Sequence, residues 1–386
     1  MGFDATWLLL GLPLAFGLGW IASRLDVRQM RIENRRAPKA YFKGLNFLLN
    51  EQQDQAIDAF IEAVQNDPDT SELHFALGNL FRRRGEYERA VRVHEHLLSR
   101  ADLNRADRDR AQYALALDFL KAGLLDRAET ALEKLEGTAF ESQSRLALLG
   151  TFERSREWAK AAQIAAKLEG SGQGSFSARR AHYVCEQAAE RVAKLEFPEA
   201  RELIRQAQSI APAAPRPHME MASLLSKLGE SPAAFDCLVQ ALQSSPAAAP
   251  LFADQLAQAA IESRQTDTAL ELLKHAYASA HSLDLLEAIV KVEAAAQTGA
   301  ATSARDWYVH HLEREASLVA AAKWIAGEKL EHEQFHPQVQ RALDHAVKPL
   351  TRYRCAACGF EGKQHFWQCP GCQAWDSYPA RRVEEL

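Results

Sequence analysis

The sequence predicts an all-α protein with one membrane helix at its N-terminus and a small metal-binding ribbon at its C-terminus. Only 19 glycines and 14 prolines interrupt its 386 residues, and 47% of the residues are hydrophobic, which favours packed helices. An uncharged run, residues 5–22, lies near the start, and four of the six cysteines crowd into residues 355–372. The formal net charge of −5 argues against a protein that coats nucleic acid by bulk charge.

The uncharged run 5–22 is expected to form a transmembrane helix within an anchor, residues 1–23. An 18-residue helix is about 27 Å long, close to the ~30 Å hydrocarbon core of a bilayer. Only Asp4 precedes the run, whereas seven basic and two acidic residues follow it within 24–43. This asymmetry places the N-terminus outside and the bulk of the chain in the cytoplasm. A cleaved signal peptide and a buried soluble helix are the alternatives, but a signal peptide carries its basic residues before the apolar run.

Two shorter patterns accompany the anchor. Gly11, Ala15 and Gly19 are four residues apart and form a stripe of small side chains on one helix face. Such a stripe allows a second transmembrane helix to approach closely, as in a homodimer, although small residues are also common in membrane helices generally. The basic juxtamembrane segment 24–36 sets the topology and is suited to anionic lipid head groups.

A 34-residue repeat fills the middle of the chain, residues 37–345. Gly44 and Ala56 recur 34 residues later as Gly78 and Ala90. Alanines at comparable positions follow, with looser spacing, at Ala128, Ala161, Ala200, Ala234 and Ala269. Small residues where two helices cross, at this period, are typical of tetratricopeptide (TPR) repeats. About eight helix pairs are therefore expected to stack into a TPR superhelix with an extended concave surface for peptides or proteins.

The concave surface of a TPR array is lined by the first helix of each pair. Asn79, Arg82 and Arg83 of the second repeat are therefore candidate partner-binding residues. Asparagine can bond a peptide backbone, and arginine can clamp a carboxylate. The alternative is a solvated basic helix surface. The glycine-rich segment 170–177 is expected to be a loop and a hinge.

The C-terminal cysteines have metal-ligand spacing: Cys355-x2-Cys358-x10-Cys369-x2-Cys372. Each CxxC unit turns so that both sulfurs face one ion, and two units close a tetrahedral site. The ribbon, residues 350–380, is too short to fold on buried apolar area alone, so the metal must supply folding energy. The prediction is one structural ion, with zinc favoured and iron possible, because both metals accept four thiolates.

The residues between and beside these cysteines have predicted structural roles. Gly359 and Gly371 are expected to supply positive φ angles in the two turns. His365 is expected to be a packing or surface residue, because four cysteines saturate the ion. Some of the aromatic side chains are expected to dock onto the helices: Phe360, Phe366, Trp367 and Trp375. A nucleic-acid platform is disfavoured because acidic residues dilute the basic ones here.

The sequence offers no catalytic motif. It contains no Walker-type phosphate loop, no GxSxG elbow and no HEXXH pair of metal ligands. We therefore expect a non-enzymatic adaptor with a large binding surface. The alternatives are an electron-transfer protein with an iron S4 centre, and a generic TPR cochaperone or RNA-associated adaptor.

The order of anchor, TPR repeats and four-cysteine ribbon resembles the lipopolysaccharide assembly protein B family of Gram-negative inner membranes. The resemblance covers the whole chain and rests on residues 5–22, on the repeats that begin with Gly44 and Gly78, and on the four cysteines. It implies a single-pass inner-membrane regulator of lipopolysaccharide biosynthesis, with a periplasmic N-terminus and a rubredoxin-like metal domain. It also implies that the chain works with the membrane-bound AAA+ protease FtsH to promote turnover of the deacetylase LpxC. A further inner-membrane regulatory protein is implied as a restraint on this activity.

Overall fold

The computed structural model describes residues 16–17, 20, 42–66, 70–296, 304–328 and 333–386. Almost all of the predicted anchor, with Gly11, Ala15 and Gly19, lies outside these residues, as does the basic segment 24–36. Among the helices that the structure describes, none is both long and apolar enough to cross a membrane.

The described chain is mainly α-helical, as predicted. Residues 42–49 are helical, and the helices that follow are α1 (Gln53–Asn66), α2 (Ser71–Arg84), α3 (Tyr87–Ser99), α4 (Arg105–Ala122), α5 (Leu125–Glu133), α6 (Glu141–Ser155), α7 (Trp158–Gly170), α8 (Ser177–Ala193), α9 (Phe197–Ile210), α10 (Pro215–Lys227), α11 (Ser231–Ser244), α12 (Ala249–Ser263), α13 (Thr266–Ser279), α14 (Leu283–Ala296), α15 (Ala304–Leu312), α16 (Leu318–Ala326) and α17 (His336–Val347). Two short strands, β1 (Tyr353–Arg354) and β2 (Glu361–Gly362), pair antiparallel in the C-terminal ribbon, with Tyr353 opposite Gly362.

The chain divides into two compact units, residues 1–156 and 157–386. In the first unit, each helix from α1 to α5 packs against the next one in sequence. In the second unit, α7 to α17 also pack in sequence, and the ribbon belongs to this unit. Neighbour-on-neighbour packing is what helical-hairpin repeats produce, because one repeat cannot bury its apolar face alone.

The 34-residue period corresponds to one contact that recurs in successive helix pairs. A Cβ atom added to Gly44 would lie 3.0 Å from the ring of Phe60, and one added to Gly78 would lie 2.6 Å from the ring of His94. Phe60 and His94 are both fully buried. In each pair the glycine therefore makes room for a ring sixteen residues further along, on the second helix.

A buried carboxylate organises the first unit beside this contact. The side chain of Asp118 on α4 is fully buried. Its Oδ1 accepts a 2.8 Å hydrogen bond from Nη1 of Arg82, and its Oδ2 lies 2.5 Å from Nδ1 of His94. A carboxylate without such partners would be costly to bury.

Two of the three predicted partner-binding residues take part in this internal network. Arg82 also donates to the carbonyl of Ala114 at 3.2 Å and to Oδ1 of Asn79 at 2.5 Å. Both residues are half-buried, whereas Arg83 is exposed. Partner binding by Asn79, Arg82 and Arg83 stays a prediction, and Arg83 is the member most accessible to a ligand.

Residues 171–176 of the glycine-rich segment form a loop, as predicted, whereas Gly170 ends α7 and Ser177 begins α8. Gly172 and Gly174 have positive φ values of 74° and 112°. The carboxylate of Glu169 holds the loop, because it accepts bonds from the N–H of Phe176 at 3.3 Å and from Arg180 at 2.8 Å. The hinge role stays a prediction.

The Gly78–His94 contact generates a stability prediction. Gly78→Ala should lower the free energy of unfolding of the first unit by about 1–3 kcal/mol, because the added methyl group overpacks a buried ring. Gly150→Ala is the matched control. Gly150 also lies inside a helix, α6, but a Cβ there meets nothing within 4 Å, so alanine should raise stability by up to about 1 kcal/mol. Urea unfolding and amide hydrogen exchange across residues 71–99 measure both. Equal hydrogen-exchange protection of residues 71–99 in the two variants would contradict the close packing of Gly78 against His94.

Candidate metal centre

The two CxxC units fold into knuckles with the same backbone pattern. The N–H of Cys355 donates to the carbonyl five residues on at 2.9 Å, and that of Cys369 does so at 2.8 Å. The carbonyl of each of these cysteines accepts a bond from the N–H four residues on, at 2.9 and 2.8 Å. Each knuckle therefore turns its two sulfurs toward the same side, as the spacing predicted.

The four sulfur atoms form a cluster of the size that a tetrahedral ion requires. All lie within 4.8 Å of one another. The Sγ atoms of Cys355 and Cys372 are 3.8 Å apart, and those of Cys358 and Cys369 are 3.7 Å apart. A tetrahedron with metal–sulfur bonds of about 2.3 Å has edges of about 3.8 Å, so the residues fit one S4-bound ion. This geometry suits zinc and iron alike.

One prediction about the knuckle turns is wrong. Gly359 has a φ of 77°, as expected, but Gly371 is not among the residues with positive φ. Gln373, four residues after Cys369, has a φ of 62° and takes the position equivalent to Gly359. Gly371 is required for space instead, because a Cβ there would lie 3.2 Å from the ring of Phe360.

The pKa is lowered for two of the four thiols, Cys355 and Cys369, whereas burial and the other three cysteines raise the pKa of Cys358 to about 12. The Oγ of Ser377 lies 3.2 Å from Sγ of Cys355, and this hydrogen bond lowers the pKa of that thiol to about 6. Burial opposes ionisation of Cys369, but the backbone N–H groups of Cys372 and Gly371 outweigh it and lower the pKa of Cys369. Because thiolates are the metal ligands, low thiol pKa values favour metal binding at neutral pH.

The ribbon docks onto helices of its own unit through His182 of α8. Nε2 of His182 lies 2.8 Å from Oδ1 of Asp376. The imidazole stacks on the ring of Trp375, with centroids 5.1 Å apart and planes 20° apart. Trp158 and Tyr183 meet the same indole edge-on, at 6.1 and 5.6 Å. The second knuckle is thereby fixed against α7 and α8.

A buried arginine contacts both His182 and the ribbon at this interface. Arg216 of α10 is only 5% exposed. It donates to Oε1 of Glu186 at 2.7 Å, lies 3.4 Å from Nδ1 of His182, and has its guanidinium carbon 5.9 Å from the ring centre of Trp367. The sequence indicated that aromatic side chains would dock, but neither His182 nor Arg216 carries a sequence signal that assigns it this role.

The predicted aromatic residues thus divide into three groups. Trp367 and Trp375 face the helices, as expected for some of the set. Phe366 packs inside the ribbon, with its ring 5.7 Å from that of Tyr378, whereas Phe360 is 43% exposed. His365 is a packing residue, as predicted, since its Nε2 lies 3.1 Å from the carbonyl of Tyr378 and burial lowers its pKa.

The tail that follows the ribbon makes a second attachment. Glu384 accepts bonds from the N–H groups of Leu318 and Val319 at 2.6 and 3.1 Å, at the N-terminus of α16. Glu385 accepts a 2.7 Å bond from the N–H of Leu283, the first residue of α14. Carboxylates are favourable at helix N-termini, where N–H groups lack helical partners. These caps carry no local sequence signal, because the two helices are distant from the tail along the chain.

A cavity of about 920 Å³ lies between the tail and helices of the second unit. Its apolar part includes Leu242, Pro250 and Leu272, and its polar part includes His275 and His311. The tail closes one side, because residues 379–381 and the two capping glutamates are part of the lining. A mostly apolar cleft with a few polar groups suits a peptide or small-molecule ligand.

Comparison with known proteins supports the predicted resemblance. Residues 353–378 match a family model described as a rubredoxin metal binding domain, and residues 73–109 match one for a tetratricopeptide repeat. The chain is 29% identical over 390 residues to lipopolysaccharide assembly protein B of Escherichia coli K12, covering 98% of this chain and 99% of the relative. It is 26% identical over 400 residues to the protein of that name from Haemophilus influenzae, covering 96% of each. The resemblance to this family is confirmed.

Two solved structures illustrate the partial similarity to known folds. A tetratricopeptide repeat protein from Parabacteroides merdae is 15% identical, with a TM-score of 0.34, over 67% of this chain and 99% of its own. The TPR2AB domain of yeast Sti1, solved with a pHSP90 ligand, is 19% identical, with a TM-score of 0.33, over 67% of this chain and 99% of its own.

The position of Gln373 generates a prediction for metal affinity. Gln373→Gly should raise the apparent metal affinity of the chain by up to about fivefold, because a left-handed conformation costs a non-glycine residue about 1–2 kcal/mol, offset in part by glycine entropy. Gln364→Gly is the control in the same ribbon, since Gln364 is not among the residues with positive φ. It should leave affinity unchanged or lower it. Competition with a chelator measures both, and equal effects at the two positions would contradict the strain argument.

Proposed function

We propose that this chain, a relative of lipopolysaccharide assembly protein B, is a non-enzymatic adaptor that regulates lipopolysaccharide biosynthesis at the inner membrane. In this proposal it promotes proteolysis of the deacetylase LpxC by the membrane-bound protease FtsH. The observation that carries the proposal is the similarity to proteins of that name over 98% of the chain, including both the repeats and the ribbon.

The second unit has features that suit a scaffold. The ribbon is attached to it at two places, through His182 and through the tail carboxylates. A fixed ribbon offers a partner a preformed surface, which reduces the ordering cost of binding. The metal would act structurally here, by holding the four thiolates of the ribbon together.

The predicted anchor supplies the second part of the proposal. A segment that confines the chain to the membrane raises its effective concentration beside a membrane-bound protease without any new contact. The anchor lies mostly outside the described residues. An inner-membrane regulatory protein that restrains the adaptor is part of the same proposal, and its binding surface on this chain is not assigned.

The electron-transfer alternative uses the same four cysteines with iron in place of zinc. Metal content and visible absorption of the purified full-length chain distinguish the two functions. Colourless protein with about one zinc ion per chain supports the scaffold. A coloured iron centre that is reversibly reduced supports electron transfer.

The anchoring proposal predicts that removal of the anchor leaves the fold intact but abolishes activity. A chain that lacks residues 1–23 should fold and bind metal, yet fail to lower LpxC levels in cells, because it is no longer confined beside the protease. Immunoblotting of LpxC in cells without the native gene measures this, with expression matched to the full-length chain. Fusing an unrelated transmembrane helix to the truncated chain is the control and should restore activity. Full activity of the truncated chain would contradict the anchoring proposal.

The 920 Å³ cavity is the proposed binding place for a segment of the partner protein. Ser279→Trp should weaken capture of LpxC by about tenfold or more, because Ser279 is exposed and lines the cavity. Ala278→Trp is the matched control, since Ala278 is an exposed neighbour on α13 that is not part of the lining. Binding of purified LpxC to each full-length variant measures the effect. Equal affinity of the two variants would place the partner elsewhere.

A further inference from the structure

A second cavity of the second unit, about 530 Å³ in volume, has five basic residues among the eleven that line it. We name it the basic basin. Its charged lining residues come from α14, α16, the segment before β1, the turn after β2 and the tail, and they are Asp284, Glu287, Lys323, Lys348, Arg352, Lys363 and Arg382. Five cations against two carboxylates give the lining a net charge of +3, in a chain whose net charge is −5.

The two carboxylates of the basin are already occupied. Asp284 accepts a bidentate pair from Arg382, with distances of 2.9 Å from Nε and 2.8 Å from Nη2. Arg382 is further fixed by a 2.8 Å bond to the carbonyl of Thr351. Glu287 is paired with Lys323. In these pairs Arg382 and Lys323 neutralise the charges of the two carboxylates.

The excess positive charge therefore lies on three other side chains. Arg352 is 3.5 Å from Glu361, a carboxylate that Arg354 also bonds at 2.8 Å. Lys348 and Lys363 are exposed, and no carboxylate of the described residues lies within ion-pair distance of either. Concentrated cations in a concave site raise the local concentration of anions.

We propose that the basic basin binds a phosphate monoester, with Lys348, Lys363 and Arg352 as the residues that contact the phosphate. Lysine binds phosphate as a point charge, and arginine adds directed hydrogen bonds. The volume accommodates a phosphate together with a sugar or glycerol group. The phosphate comes from either a soluble phosphorylated metabolite or a lipid head group. This site does not depend on the adaptor function.

The experiment uses the full-length chain in a neutral detergent at constant ionic strength. The probes are glucose 6-phosphate and short-chain dihexanoyl phosphatidic acid, both phosphate monoesters. Glucose is the uncharged comparison, and a polyglutamate peptide is the anion without phosphate. Calorimetry or ligand-observed NMR measures binding to the wild type and to Lys348→Gln/Lys363→Gln. The matched control is Lys194→Gln/Lys227→Gln, which removes the same charge from two exposed lysines outside the basin.

We expect at least one phosphate probe to bind and glucose not to bind. Affinity should fall about tenfold or more in the basin variant, stay within about twofold in the control, and recover largely in Lys348→Arg/Lys363→Arg. Basin-dependent binding of glucose 6-phosphate identifies a soluble ligand, and binding of phosphatidic acid alone identifies a lipid head group. Equal losses in the basin and control variants, or no basin-dependent binding of either probe, overturn the proposal. So does basin-dependent binding of a polyglutamate peptide alone, which indicates an acidic protein partner.

Discussion

The burial of Arg216 is the constraint on which the arrangement of the second unit depends. A guanidinium that is 5% exposed remains charged and needs partners on every side. The carboxylates of Glu186 and Glu220 supply the compensating negative charge, and Trp367 of the ribbon supplies an aromatic ring beside the guanidinium. The ribbon is therefore part of the environment that allows this arginine to be buried among the helices. Without the ribbon, a charged cluster and the stacking face of His182 would open to water.

The tail that follows the ribbon also joins it to helices of the second unit, at the N-termini of α14 and α16. Two consecutive carboxylates, Glu384 and Glu385, satisfy the N-termini of α16 and α14. Arg382 joins the tail to Asp284 through a bidentate pair. Metal binding, ribbon folding and helix capping are thus connected, because Cys372 precedes these contacts by only ten to thirteen residues. An adaptor needs a surface with a fixed shape, and this connection supplies one.

Local sequence patterns were sufficient to predict the features that depend on spacing. The 34-residue period placed Gly44 and Gly78 where rings of the second helix approach, and the CxxC spacing placed four sulfurs around one point. Features that depend on contacts between distant segments could not be predicted in this way. The bond between Arg82 and Asp118 joins two repeats, and the bond between His182 and Asp376 joins residues 194 positions apart. Gln373 escaped prediction because glycine is the usual residue at a positive φ, and Gly371 is only two positions away.

The location of the two helix caps also has a consequence for synthesis of the protein. Translation delivers Glu384 and Glu385 after the helices whose N-termini they bond. The N-termini of α14 and α16 are made about a hundred and about seventy residues earlier. Their N–H groups gain these carboxylate acceptors only when the tail has been made. Repeat helices can pack as they emerge, since their contacts are between neighbours. The second unit, however, completes these contacts only after residues 384 and 385 have been made, so a nascent chain that lacks them leaves the N–H groups of Leu283, Leu318 and Val319 without these carboxylates.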